Sequence, residues 1–419
     1  MAEEEPAAKR SKPSRPAAAT MLRVESCILG PASAGRRGPI SEQVPSPPEI
    51  LRDVAVVSDP PSPAYAPPLE LCVISDPGED LDDELAMVFL RHLVARDPSL
   101  RVRCVVCNLR PAQKRAALMR RTLDALDLAH VPVGAGQEVV PETKAPQASW
   151  DFLPESAPLG EGQALLKEAF DASHDGALTL LCISALTDAA EFLENHTEVF
   201  RRKVREVVIM GGVQTPITNA LLVPDDAANN AFDPKAAAYF YRRLQELDVP
   251  MVIVSRAAAY ACPVPQKLYD ELAATGNRVG VRVRDAQREA NSRLWRRSHA
   301  LGEAQAHLPD RCDPTWFRAT FCDGRGADLG SNDDVWDLVV GFNLYDVIAL
   351  LACDPSLRRH HFAPHVHRVN STAHALIGLR GGETNVRDAP ATRAYLEEGI
   401  LDGIRGAHAG GGAVGLPLG

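Results

Sequence analysis

Residues 71–84, Leu-Cys-Val-Ile-Ser-Asp-Pro-Gly-Glu-Asp-Leu-Asp-Asp-Glu, constrain this chain more than any other stretch, because a short apolar run delivers six carboxylates within nine positions. Leu71, Val73 and Ile74 read as a strand buried on both faces. Pro77 and Gly78 break the pairing. From Asp82 onward Leu85, Val88, Phe89 and Leu93 recur at helical spacing, which sets Asp82 and Asp83 at a helix N-terminus, where negative charge is favoured. A strand, an acidic loop and a helix in succession put carboxylates at the C-terminal edge of a sheet, where open α/β folds bind their ligands. Clustered carboxylates repel one another, so the loop is either a solvated helix start or the seat of a cation. All-oxygen donors suit calcium or magnesium, and no His or Cys lies in the loop to favour a softer metal. An EF-hand does not fit, since the Gly stands third rather than sixth.

The rest of the chain alternates strand and helix signals, the pattern of a mainly parallel sheet flanked by helices. Apolar runs at Val102 to Cys107, Val131 to Gly134, Leu178 to Ile183, Val204 to Met210 and Val252 to Val254 are strands. Pro111 to Leu128, residues 188 to 194, the Ala-rich segment after Asp233-Pro234, Arg282 to Ala304 and Leu338 to Leu351 are helices. Asp233 is a natural N-cap and Pro234 suits the first helical position. Thirteen of the 33 prolines fall in residues 1–68. That stretch is expected to be a disordered tail, with Val54 to Val57 a short run able to dock as an edge strand. The α/β domain is expected over residues 69–419.

A net charge of −10 over 419 residues argues against a nucleic-acid partner. No apolar stretch is long enough to span a bilayer, and the acidic start does not resemble a secretory or organellar leader, so the expected location is cytoplasmic. Nine Cys, an odd number without regular spacing, read as buried thiols of a reducing compartment. Cys104-Val105-Val106-Cys107 lies within a strand run, which favours a structural role over redox or metal chemistry.

Asp76-Pro77-Gly78 followed by Asp82-Asp83 resembles the N-terminal signature of the inosine-uridine-preferring nucleoside hydrolases, calcium-dependent N-ribohydrolases. Further landmarks follow in family order from about Leu69 to Pro355. They are Asn108 after the second strand, the Val-Pro-Val strand, Ser184-Ala185-Leu186-Thr187-Asp188, Met210-Gly211-Gly212, Asn229 four residues before Asp233-Pro234, and Tyr345-Asp346 on an apolar helix. The chain departs from the pattern at Ile74 (Asp in the family), Ala227 (Glu) and Tyr345 (His). Between Gly78 and the Asp pair it carries three residues where the family has one. Residues 281–335 form a divergent insert. There Trp316 and Phe317 read as core, with base stacking the alternative.

The resemblance implies a nucleoside-hydrolase-like fold and a nucleoside as the small-molecule partner of a possible homo-oligomer. It also implies that Asp76, Asp83, the Thr187 carbonyl and Asp346 hold Ca2+. Asp76 would be the general base, Tyr345 would stand where the leaving base is protonated, and Asp82, Asn108 and Asn229 would orient the ribose. His299 and His307 are the next candidates for proton donation. Asp225 or Asp226 would replace the family Glu. The departures leave two alternatives, a hydrolase of another N-glycoside and a non-catalytic calcium- or ribose-binding relative.

Overall fold

A computed structural model describes residues 68–78, 81–139, 150–154, 156, 159–218, 220–300, 312–379 and 382–407. The proposed tail, Val54 to Val57, Glu79, Asp80 and His307 lie outside these. In chain order the elements are β1 (Glu70–Ser75), α1 (Asp82–Arg96), β2 (Arg101–Cys107), α2 (Ala112–Ala125), β3 (Val133–Ala135), β4 (Gly160–Glu161), α3 (Gly162–Ala172), β5 (Leu178–Cys182), α4 (Thr187–Asn195), α5 (Thr197–Lys203) and β6 (Val204–Met210). There follow α6 (Ala228–Phe232), α7 (Pro234–Glu246), β7 (Met251–Val254), α8 (Arg256–Ala261), β8 (Val264–Pro265), α9 (Lys267–Ala274), α10 (Arg278–Ser298) and α11 (Pro314–Phe321). The last are β9 (Gly341–Phe342), α12 (Tyr345–Leu351), α13 (Pro355–His361), β10 (His365–Val369), β11 (Thr372–Ile377) and α14 (Ala389–Arg405).

Nine strands form one sheet in the order β10-β11-β7-β6-β5-β1-β2-β3-β4, parallel throughout except for the β10–β11 hairpin. The period of two in the strands divides the core between its faces. Leu71, Val73, Val105 and Cys107 point into one layer, with α1, α12 and α14. Cys72, Ile74, Cys104 and Val106 point into the other, with Phe170, Phe192, Phe200 and Phe240. Cys104 and Cys107 therefore lie on opposite sides of the sheet and make no redox pair with each other. The eight described cysteines are buried free thiols. Helix α14 packs against α1 at very short range, because a Cβ on Gly403 would meet the Val88 carbonyl oxygen at 2.0 Å and one on Gly399 would meet the Phe89 ring at 2.5 Å.

Two expected helices have different bounds. Leu338 to Leu344 is not helical throughout: after a single 3-10 turn at Trp336–Leu338, Gly341 and Phe342 pair with Pro265 and Val264, and α12 starts only at Tyr345. Gly341 permits that pairing, since a Cβ there would strike the Val264 carbonyl at 2.5 Å. Helix α10 begins four residues before Arg282, because the Asn277 side chain accepts from the Val279 amide (2.9 Å) and caps it. Asp233 caps α7 as expected.

The sheet order makes β1 the centre of the functional edge. Its neighbours β5 and β2 end level with it: Ile74 is in register with Cys182, and Ser75 with Cys107. The Ile183 amide donates to Ile74 O (2.9 Å) and the Asn108 amide to Ser75 O (3.0 Å). The acidic loop, Asn108 and the 184–187 loop thus emerge side by side at the C-terminal ends of parallel strands, and the β6 exit lies next beyond β5.

Candidate active site

Asp82 and Asp83 open α1, and Asp346 is the second residue of α12. All three are buried, and each offers an oxygen within 4.8 Å of the others. Asp82 is also what draws the two helices together. Its Oδ2 accepts from the backbone amides of Tyr345 (3.2 Å) and Asp346 (3.3 Å), satisfying donors that the first turn of α12 would otherwise leave unpaired. Asp83 is held from the strand side, its Oδ1 accepting from Ser75 Oγ (2.5 Å) and the Asp76 amide (3.0 Å). Asp76 is buried between this contact and Arg115. That arginine, fully buried on α2, donates to the Asp76 carbonyl and to the Pro77 carbonyl (2.8 Å), and its Nη1 lies 3.9 Å from Asp76 Oδ2.

Asn108 lies beside the acidic loop, buried, with its amide engaged. Nδ2 donates to Ala185 O (3.0 Å) and Asp188 Oδ2 (2.8 Å), and Oδ1 accepts from Ser184 Oγ (2.5 Å). Asp188 also accepts from the Gln137 amide (3.1 Å). Burial pushes its carboxyl upward while the Asn108 and Gln137 hydrogen bonds pull it back. Thr187 starts α4, and its hydroxyl does not cap that helix: it donates to Asp233 Oδ2 (3.0 Å), tying α4 to α7. Asn229 is buried with Nδ2 on Met210 O (3.0 Å), which fixes it under the β6 exit. Asp225, one of the two acids proposed to replace the family Glu, packs against Gly212, where a Cβ would meet its Oδ2 at 2.5 Å.

Tyr345 is buried and its ring makes an edge contact with Tyr260, 6.0 Å between centroids. The insert contributes through Arg282 of α10. Its guanidinium reaches the fully buried Glu84 carboxylate at 3.2 Å and Asp151 at 3.4 Å. Burial pushes the Glu84 carboxyl upward, and Arg282 opposes that. Phe317 is core, packed on Trp295 (5.0 Å) and Phe321 (4.8 Å), and Trp316 packs edge-on against Phe321, so the insert aromatics build their own cluster. The His299 ring faces the Trp295 carbonyl (3.0 Å).

Asp76, Asp82, Asp83, Tyr345 and Asp346 therefore meet, with Asn108 alongside, and Thr187 and Asn229 stand at the ends of β5 and β6. Sequence reasoning missed Ser75, Arg115 and Asp188. Ser75 and Asp188 flank assigned residues and were legible as neighbours, whereas Arg115 carried no signal, since an Arg on a helix ordinarily faces water.

Three buried carboxylates at this spacing form an oxygen donor set that fits a hard divalent cation. Among the described residues no helix is long and apolar enough to cross a membrane. The fold is similar to that of two solved effector proteins, XOO4466 and the type III effector XopQ, the latter complexed with adenosine diphosphate ribose. Each has 30% identity and a TM-score of 0.68 over 80% of this chain and 94% of the other. It is also similar to the purine-preferring ribonucleoside hydrolase of Gardnerella vaginalis, with 14% identity and a TM-score of 0.51 over 80% of this chain and all of that one. No curated protein matches this sequence. The family model for inosine-uridine preferring nucleoside hydrolases matches residues 73–387, which takes in the end of β1, the acidic loop and every site residue described above, and the chain belongs to that family.

Proposed function

We propose that the protein is a calcium-dependent N-ribohydrolase that cleaves the N-glycosidic bond of a ribonucleoside to ribose and free base. The observation that carries this reading is the convergence of Asp82, Asp83 and Asp346 within 4.8 Å in a buried setting. Such a group is costly unless a cation offsets its repulsion. In this reading Asp76, Asp83, the Thr187 carbonyl and Asp346 would hold the ion, and Asp82, the third carboxylate of the convergent group, would stand beside it toward the sugar. Bound calcium supplies a fixed positive charge that orients the ribose hydroxyls and makes a nearby water more acidic. Asp76 takes that water's proton as its oxygen attacks the anomeric carbon and the C–N bond breaks. Tyr345 gives a proton to the departing base. Asp82, Asn108 and Asn229 orient the sugar, Asn108 from a side chain already fixed by Asp188, Ala185 and Ser184.

A second reading, a ribose-binding relative without turnover, draws on the departures at Ile74, Ala227 and Tyr345 and on the similarity to an effector solved with ADP-ribose. One experiment separates the two: calcium titration beside initial rates on a panel of ribosides, for the parent, Asp83→Ala and Asp76→Asn. Asp83→Ala loses calcium affinity and activity together. Asp76→Asn keeps part of the affinity and loses turnover by roughly 10² to 10⁴, the range for a general base. Parent-rate turnover by Asp76→Asn with metal bound refutes the base assignment and passes it to Asp82. Calcium binding without turnover of any riboside selects the second reading.

A further inference from the structure

Arg115 is buried beside the acidic loop and has no part in the chemistry proposed above. It stands in the first turn of α2 with no exposed surface. Its Nη1 donates to the carbonyls of Asp76 and Pro77, the second at 2.8 Å, and its Nη2 reaches the Arg110 carbonyl at 3.5 Å. Asp76 is therefore held at both ends of its backbone, because its amide donates to Asp83 Oδ1 (3.0 Å) and its carbonyl accepts from Arg115. Those two bonds fix the atoms from which the side chain leaves the chain, and with them the direction of Cβ. The carboxylate itself lies 3.9 Å from Nη1, through Oδ2. Three residues further along α2, Leu118 stands 3.2 Å from where a Cβ on Gly78 would be, and Gly78 has a φ of +114°. Residues 76 to 78 thus rest on α2 one after another.

We infer that Arg115 is a positioning residue for the cation site, which it serves by fixing Asp76. This rests on the calcium ligation proposed above and adds a residue to it. Arg115 grips the backbone of Asp76 and Pro77 more closely than it approaches the Asp76 carboxylate, which is the arrangement of a support and not of an ion competing for that carboxylate. A loop tether alone does not call for a charge, since burying a guanidinium costs far more than burying an amide that could serve the same two carbonyls. The charge acts on the acids around it. It lies 3.9 Å from Asp76, and it opposes the upward push that burial gives the Glu84 carboxyl. Acids assembled ahead of the cation repel one another, and a fixed positive charge among them reduces that cost. The Asp76 amide carries the support onward, because the Asp83 carboxylate it bonds belongs to the convergent group with Asp82 and Asp346.

The test is a mutant cycle on metal affinity, read by titrating the full chain with calcium alone, or with terbium, a hard ion for the same oxygens, where calcium binds too weakly. The parent, Arg115→Lys, Arg115→Met, Asp76→Ala and the two double variants are compared at one pH, with urea midpoints to show that each is folded. Lys keeps the charge without the planar fork, and Met lacks both, so either variant that folds completes a cycle. Replacing Arg115 should weaken binding about 10- to 100-fold more with Asp76 present than in Asp76→Ala, the range for a group that holds a metal ligand in place. Effects that do not pass through Asp76, such as removing a like charge from the cation's surroundings, are common to both backgrounds and cancel. Equal losses in the two backgrounds reduce Arg115 to a structural tether and overturn the inference. A greater loss in Asp76→Ala makes the guanidinium a rival for the carboxylate and overturns it too. If the parent binds neither ion, the metal reading fails and the inference with it. Coupling without turnover of any riboside leaves the inference standing and selects the ribose-binding reading.

Discussion

Replacing Arg282 by Met removes the cation that faces Glu84, and the structure sets the cost. The two groups lie 3.2 Å apart with side-chain exposures of 5% and 0%. At an effective dielectric of about 20 their attraction is on the order of 5 kcal/mol. Arg282→Met leaves the Glu84 carboxylate buried without that partner, a loss of about 3–5 kcal/mol. Glu84→Gln is expected to cost less, because Arg282 keeps Asp151 at 3.4 Å, and Asp151 is 80% exposed. The double variant Glu84→Gln/Arg282→Met should lose well under the sum of the two single losses, since the carboxylate that made the first change costly is gone. Urea denaturation followed by far-ultraviolet circular dichroism at fixed pH and calcium gives all four stabilities. A loss under about 1 kcal/mol for Arg282→Met, or strict additivity in the cycle, would refute the claim that this pair fastens α10 to the start of α1.

His374 on β11 is buried opposite His367, its Nδ1 accepting from the Met251 amide (3.2 Å) with Asp248 nearby, and burial with the His367 charge pushes its pKa down to about 4. A depressed His contributes stability that is complete above the unfolded value of about 6.5 and is lost as pH falls through about 4, so it should account for about 2 kcal/mol of loss between pH 7 and pH 5. His374→Gln should flatten that part of the urea-midpoint profile, and an unchanged slope would exclude it as the source. Tyr345→Phe should slow inosine by roughly 10² while barely affecting an activated aryl riboside, whose leaving group needs no proton. Equal effects on both substrates would move proton donation elsewhere, with His299 next to test.

Strand runs were legible because the central strands are buried on both faces and so carry unbroken apolar sequence. Val204–Met210 has the bounds the sequence predicts, and β1 and β2 differ by one residue. The third strand lies two residues later than expected, at Val133–Ala135, since Pro132 has no amide to give and enters the ladder only through its carbonyl, which accepts from Val105 (2.9 Å). The helix assigned to Leu338–Leu351 was overextended because Val339, Val340 and Phe342 suit either structure, and only the pairing of Gly341 and Phe342 with β8 decides between them. Within the site, the residues that bear charge were visible as motifs. The groups that hold them were not: Asp82 bonding across to α12, Arg115 pinning the loop carbonyls and Asp188 fixing Asn108 are tertiary contacts that no local pattern encodes.

The bonds from Asp82 to the amides of Tyr345 and Asp346 span 263 and 264 residues of sequence. During synthesis, the first two acids of the cluster leave the ribosome long before the third, and α12 and α14, which pack with α1 on one face of the sheet, follow last. Until α12 arrives, Asp82 faces Asp83 without the two amides that later neutralise part of its charge. Closing so long a loop costs entropy that grows only slowly with length, so the barrier lies less in distance than in bringing a third carboxylate toward two others. A divalent ion held by the cluster would lower that barrier by acting on the last docking step, and would then be a folding ligand. Refolding of the chain from urea should accordingly be faster with calcium than with chelator, and C-terminal truncations that stop before α12 should lose this difference.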